Sequence, residues 1–188
     1  GSAQKAIELT QTGAIDFVVA GTANLETFAD VYEVFSMPYL FTSEDAYHEV
    51  MNDTDYMNQV YASTDEAGFR VLTWYNAGTR NFYATKPIHT PDDLKGLKIR
   101  VQDMKSQTDM MKALGGIPVA MSYGDVYTSL QTGIIDGTEN NETALTTGKH
   151  GEICKVYSTD QGVYDTRKEI SIMLGWDPDR IVVENKLV

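Results

Sequence analysis

The stretch from Leu94 to Glu142, LKGLKIRVQDMKSQTDMMKALGGIPVAMSYGDVYTSLQTGIIDGTENNE, most restricts the fold, because its apolar residues switch between strand and helix spacing with glycine at the switches. Just ahead of it, Thr90-Pro91-Asp92-Asp93 opens a helical turn: a hydroxyl at the N-cap, proline at the first helical position, and two carboxylates where the helix dipole favours negative charge. Gly96 ends that turn, and Leu97-Lys98-Ile99-Arg100-Val101 alternates apolar and basic side chains as a half-buried strand does. Ser106 to Leu114 carries Met110, Met111 and Leu114 at helical spacing and stops at Gly115-Gly116, which assigns those methionines to a core. Ile117 to Met121 is a second short apolar run, and Ser122-Tyr123-Gly124-Asp125 opens a helix from Val126 to Gln131 with Gly133 as its cap. Ile134-Ile135-Asp136 reads as a strand, followed by a polar turn from Gly137 to Glu142. Alternation of this kind predicts an α/β fold.

Arg100 lies near the carboxyl end of its strand, where ligands of open α/β sheets sit and where a planar fork of donors can grip a carboxylate. The same residue would serve equally as a surface arginine paired to an aspartate. Glu139 and Asn140 fall in the polar run at the end of the next strand, which is a candidate ligand loop or simply a loop.

The chain also repeats itself. Gln11-Thr12-Gly13-Ala14-Ile15-Asp16 and Gln131-Thr132-Gly133-Ile134-Ile135-Asp136 differ at one of six positions, 120 residues apart. Each copy is expected to end a helix and start a strand followed by a polar turn, so that Thr22 and Asn24 mirror Thr138 and Asn140. Two such units predict two similar lobes facing a shared cleft.

Elsewhere, Ala14 to Ala20 and Phe69 to Tyr75 read as strands, and Asn81 to Ala84 as a shorter one. Val34 to Phe41 is rich in aromatic residues, with Tyr39 facing either the cleft or a core; Trp74 is open to the same two readings, as a stacking surface or as core. A helix starts after Ser43 with Ala46, Tyr47, Val50 and Met51 on one face, and Asp53 to Ala67 forms another. Near the end, a helix is expected over Thr166 to Leu174, a turn over Trp176 to Asp179, and a strand over Arg180 to Glu184.

A net charge of −12 and a pI near 4.5 argue against nucleic acid and anionic membranes as partners. An acidic chain that binds an anion must concentrate positive charge locally, which raises the interest of its arginines. The mean hydropathy of −0.29 and the lack of a long apolar run exclude a transmembrane helix. Cys154 is the single cysteine, flanked by Ile153, and reads as a buried structural thiol. His48, His89 and His150 have no metal-ligand spacing, and no nucleophilic triad, phosphate loop or dinucleotide fingerprint is present. The strongest enzymatic reading pairs Asp136 with Glu139 as two carboxylates. Nothing else asks for catalysis, a metal or a cofactor.

LKGLKIRV, MKALGGIPVAMSYGDVYTSLQTGIIDGTEN and the earlier MPYLF resemble the substrate-binding proteins of tripartite ATP-independent periplasmic (TRAP) transporters, and the resemblance runs from about Ala3 to Asp160. It implies a two-lobed α/β receptor, periplasmic or extracytoplasmic, that closes over a small organic acid and delivers it to membrane permease subunits. The lobes would be a partial first lobe over 3–83 and a second over 84–160 that carries the main anchor, with 161–188 unplaced. In this family the arginine of the KIRV strand binds the ligand carboxylate, which maps to Arg100; an arginine in a G-x-R segment maps to Arg80, and the asparagine of DGxEN to Asn140. Around them Glu139, Gln102, Asp103 and Tyr123 would address hydroxyls or a ring face, with Thr22, Asn24, Tyr39 and Trp74 as first-lobe candidates. That mixture suits a hydroxylated acid such as a sugar acid. Relative to the family the opening strand and helix of the first lobe are missing, which implies a fragment or rearranged chain. The second expectation is therefore a folding or oligomerisation module whose open sheet edges pair with another copy.

Overall fold

In a computed structural model the described residues are 2–141, 143–159, 171 and 182–184. The chain divides into two units, one made of Gly1–Asn76 and Met104–Met110, the other of Ala77–Asp103 and Met111–Val188.

The first unit is helical among its described residues. Within Gly1–Asn76 its helices are α1 (Ala3–Gln11), α2 (Glu44–Met51) and α3 (Thr54–Ala62), with 3₁₀ segments at Thr22–Leu25, Asp30–Ser36 and Asp65–Ala67; Met104–Met110 carries the first turns of a further helix, α4 (Lys105–Ala113). The caps are those the sequence offers: the Ser43 hydroxyl accepts from the Ala46 N–H at 3.1 Å and the Asp53 carboxylate from the Tyr56 N–H at 3.0 Å, each satisfying a donor with no partner inside the helix. Ile7, Leu25, Tyr32, Met51, Met57 and Val60 form the core, with Trp74 packed against it.

Two expected strands are absent. Ala14 to Ala20 and Phe69 to Tyr75 run without a ladder partner, and Phe17 and Val19 are 77% and 80% exposed. β-branched and aromatic residues favour an extended backbone, but a strand exists only where a neighbour takes its hydrogen bonds, and the described residues of this unit hold no other strand. Nor is Tyr39 core: it stands 85% exposed with a left-handed φ of 59°.

The second unit is built on a six-stranded sheet of order β3-β2-β4-β1-β5-β6: β1 (Asn81–Ala84), β2 (Lys98–Val101), β3 (Ile117–Ala120), β4 (Gly137–Asn140), β5 (Lys155–Thr159) and β6 (Val182–Glu184). All neighbouring pairs are parallel except those of β1, which runs against both β4 and β5. Parallel strands need crossovers, supplied by α4 (Lys105–Ala113) from β2 to its neighbour β3 and by α5 (Val126–Gln131) from β3 past β2 to β4. A short helix, α6 (Thr143–Thr146), follows β4. Side chains alternate along β1 and β2, so Tyr83 enters one apolar layer with Val126, Leu130, Ile135 and Leu145, while Ala84, Ile99 and Val101 enter another with Leu94, Leu97 and Met111.

The strand expected at Ile134-Ile135-Asp136 is displaced. Those residues lead into β4, and the polar run Gly137–Asn140, expected as a turn, is itself a central strand flanked by β2 and β1. Its hydrogen-bond ladder on both sides outweighs its poor strand composition. Gly137 is required there, since a Cβ would fall 2.6 Å from the Tyr83 carbonyl oxygen and 3.0 Å from the Ala84 Cβ. Of the expected C-terminal elements, Val182–Glu184 is a strand, while the helix over Thr166 to Leu174 and the turn over Trp176 to Asp179 lie outside the described residues. No helix among the described residues is long and apolar enough to cross a membrane.

Candidate functional site

Because β2, β3 and β4 run parallel and β1 runs against β4, the carboxyl ends of three strands and the amino end of β1 meet at one edge of the sheet. Arg80 immediately precedes β1, Arg100 is the third residue of β2, Gln102 and Asp103 follow β2, Tyr123 follows β3, and Asn140 ends β4. Six of the residues singled out in the sequence thus share the edge at which ligands of open α/β sheets bind. Glu139, one residue inside β4, joins them.

Arg100 is 4% exposed. Its neighbours Ile99 and Val101 belong to one apolar layer, and alternation sends Arg100 to the other face, in register with Thr138 on β4 and Val119 on β3. There its Nε and Nη2 both donate to the Met121 carbonyl oxygen, at 3.0 and 2.9 Å. Among the described residues no carboxylate lies within ion-pair distance of it, so the aspartate partner of the alternative reading is absent from that set. Burial pulls the Arg100 pKa below its ordinary value, with the Glu139 charge opposing and the Arg80 charge adding to the fall. Burial of a guanidinium without an ion-pair partner is costly, and an anion beside it would offset that cost.

Arg80 is already engaged. It donates to both carboxylate oxygens of Glu139, the Nη2–Oε1 distance being 2.9 Å, and to the Glu139 carbonyl at 3.2 Å. The pair is asymmetric, since the Arg80 side chain is 41% exposed and the Glu139 side chain 6%. Burial lowers the Arg80 pKa, and the Glu139 hydrogen bond and charge outweigh that and raise it. Glu139 therefore serves first as the counter-ion that orients Arg80. Asn140 is half-buried; its side-chain oxygen accepts from the Asn141 N–H at 2.8 Å and its carbonyl from the Tyr83 hydroxyl.

Tyr123 is exposed on the 3₁₀ turn Tyr123–Asp125 ahead of α5, with its ring 5.5 Å from that of His150. Asp136, the other half of the enzymatic pairing, accepts from the Lys98 N–H at 2.9 Å and lies near Lys86, while Glu139 is committed to Arg80. The two carboxylates therefore hold separate structural partners. In the first unit, Thr22 and Asn24 lie on the 3₁₀ segment Thr22–Leu25, Tyr39 stands exposed, and Trp74 packs edge-on to Tyr47, 5.4 Å between centroids. No group of acidic, histidine or cysteine side chains suited to a metal occurs among the described residues.

Two residues in contact with this set carry no sequence signal for it. Met121 acts through its main-chain carbonyl, which every residue possesses, and His150 stands in TGKHGE, a stretch with no motif.

Residues 1–170 match the bacterial extracellular solute-binding protein family 7 (DctP). Among solved structures, a TRAP periplasmic solute-binding protein of Anaerococcus prevotii with bound α/β D-glucuronate is 52% identical, with a TM-score of 0.81 over 84% of this chain and 52% of its own. One from Xanthobacter autotrophicus with bound β-D-galacturonate is 35% identical, with a TM-score of 0.80 over 84% of this chain and 53% of its own. The C4-dicarboxylate-binding periplasmic protein DctP of Rhodobacter capsulatus is 33% identical over 79% of this chain and 45% of its own length. These three are solute-binding proteins, not enzymes. The chain spans about half the length of the curated relatives it matches.

Proposed function

This chain belongs to the bacterial extracellular solute-binding protein family 7, and from that premise we propose that it serves in a receptor for a sugar-acid anion, held by its carboxylate. The observation that carries the reading is Arg100, a buried guanidinium at the carboxyl edge of a parallel sheet with no counter-ion among the described residues. Arg100 grips the carboxylate; Arg80, oriented by Glu139, supports it from the amino end of β1, on the far side of β4. Asn140, Tyr123, Gln102 and Asp103, around the same edge, address hydroxyls and the ring face. A uronate is favoured over a C4-dicarboxylate because both structural relatives named above hold one and because amide, phenol and carboxylate groups suit a ring bearing several hydroxyls. Delivery to a TRAP-type membrane permease from the periplasm is the corresponding physiological role, supported by the periplasmic solute-binding relatives.

The test is a thermal-shift and calorimetric comparison of D-glucuronate, D-galacturonate, succinate and pyruvate. A uronate at 100 times its dissociation constant adds about 2.7 kcal/mol of stability and raises the melting temperature by several degrees. A chain that melts cooperatively and responds to none of the four overturns the proposal.

A second reading, self-association through exposed apolar segments, draws on Phe17 and Val19 in one extended run and Leu72 and Tyr75 in the other. Light scattering decides it: a monomeric mass at high micromolar concentration removes it.

A further inference from the structure

One buried histidine is a group that the receptor reading does not use. His150 is 1% exposed, and its Nδ1 has neither solvent nor a hydrogen-bond partner. Its ring lies against Tyr123 at a tilt of 48°. Gly148 closes the set: a Cβ there would sit 3.1 Å from His150 Nε2, 2.7 Å from the Ala144 carbonyl oxygen and against the Tyr123 hydroxyl. The close approach of Tyr123 and His150 thus depends on a residue without a side chain. Buried polar atoms are nearly always paired, and this orphaned nitrogen belongs to a ring packed on Tyr123, two residues past the Met121 carbonyl that holds Arg100, so it calls for an account.

We propose that His150 is a positioning residue of the anion site, taking up a proton when a carboxylate neutralises Arg100 and so linking binding to proton uptake. This rests on the receptor reading only for the identity of the anion. In the empty protein burial and the Arg100 charge hold the imidazole below its ordinary pKa, so it is neutral near pH 7. A carboxylate on Arg100 cancels that repulsion and adds negative charge nearby, and both changes raise the imidazole pKa.

Other groups around the ring leave Arg100 as the controlling charge. Tyr123 is uncharged near neutrality. Helix α6, the element packed on the His150 turn, contributes Thr143, Ala144, Leu145 and Thr146, none of which titrates. Cys154, whose N–H bonds to the His150 carbonyl, is a thiol pushed up to about 12 and stays protonated. Lys149 and Glu152 flank the ring in sequence, and the Glu152 carboxylate accepts from the Tyr127 hydroxyl at 3.1 Å.

The sign follows: the bound state holds more protons than the free state between the two His150 pKa values, so affinity rises as pH falls through that window. The chain has three histidines, which makes their ring protons assignable by NMR. In the empty protein Arg100→Gln should move the His150 titration midpoint upward. Saturating the wild type with D-glucuronate should move it the same way. Calorimetry in buffers of different ionisation enthalpy should then register proton uptake that His150→Gln abolishes. A His150 midpoint indifferent to both Arg100→Gln and D-glucuronate overturns the inference, as does unchanged proton uptake in His150→Gln. Should Arg100→Gln not fold, the wild-type titration with D-glucuronate decides alone. If D-glucuronate gives no heat while Arg100→Gln still shifts the midpoint, the receptor reading fails for uronates and the Arg100–His150 coupling stands.

Discussion

Arg100 donates two hydrogen bonds to one oxygen, the carbonyl of Met121, at 3.0 and 2.9 Å through Nε and Nη2. A main-chain acceptor orients the guanidinium without neutralising it. That oxygen sits just past the end of β3, in the strand beside β2, so the sheet register itself fixes the fork. Two of five N–H donors are spent in this way, and Nη1 has no protein partner among the described residues. The cation is preorganised and still available.

Arg100→Met separates binding from folding. A hydrogen bond to a charged group contributes about 1.5–3 kcal/mol, so uronate affinity should fall by more than tenfold. Removing an uncompensated buried charge offsets the two lost bonds, so the melting temperature should stay within a few degrees. Calorimetry and thermal melts on one preparation check both, and full affinity in Arg100→Met removes this residue from the site.

The Arg80–Glu139 pair should respond asymmetrically. Arg80→Ala strands a carboxylate that is 6% exposed, whereas Glu139→Gln leaves a guanidinium that already reaches water. Breaking a buried pair from one side costs about 3–5 kcal/mol; with one partner 41% exposed, screening reduces that to roughly 1–2 for Arg80→Ala and less for Glu139→Gln. Urea denaturation of the two variants measures the difference, and equal losses would contradict the asymmetry.

What could be read from the sequence was what the local code determines. Ser43 and Asp53 cap the helices they precede, and β1, β2 and β3 lie where alternation and glycine punctuation put them. The failures share one cause: strand pairing is decided by neighbours. Ala14 to Ala20 has the right composition and no partner among the described residues of its unit, while Gly137–Asn140 has the wrong composition and two partners. Arg100 was legible as a strand-end cation, because residue type and position are both local. Its orientation by Met121 and the packing of His150 on Tyr123 were not, because a carbonyl and a motif-free histidine carry no pattern.

Gly137→Ala tests the polar central strand. The added Cβ would meet the Tyr83 carbonyl at 2.6 Å and Ile99 Cδ1 at 3.1 Å, and neither β1 nor β2 can retreat without breaking its ladder. Overpacking of this kind costs about 1–3 kcal/mol. Chemical denaturation should place the variant in that range, with binding at the proposed anion site weakened too, since Arg80 reaches Glu139 across this same pairing.

The internal repeat survives as geometry in one turn and ends there. Thr12 and Thr132 close their helices with ψ of −4° in both, Gly13 and Gly133 follow at φ of 71° and 73°, and the next two N–H groups return to Leu9 in one copy and Ser129 in the other. Past Ile15 and Ile135 the copies diverge. A Cβ on either glycine would meet nothing within 4 Å, so the cost of alanine is purely conformational. Gly13→Ala and Gly133→Ala should each lose about 1 kcal/mol, and by similar amounts. A loss confined to one would mean that the shared turn is not held alike.

Cys154 gives a stability signature at alkaline pH. Its thiol is buried beneath Tyr83 and Leu145, and burial alone raises its pKa from an ordinary value near 9 to about 12. The folded state therefore binds this proton more tightly than the unfolded chain. Its contribution is complete below pH 9 and is lost as pH rises through 12, at up to about 1.4 kcal/mol per pH unit. Tyr32, also pushed up to about 12 by burial, acts in the same direction, so the wild-type curve alone cannot assign the loss. The difference between wild type and Cys154→Ala can: Cys154→Ala should fall less steeply between pH 9 and 11, and native Cys154 should resist alkylation at pH 8 until the chain is unfolded. Parallel stability curves, or rapid labelling of the native chain, would mean that the thiol is not sealed from solvent as the fold requires.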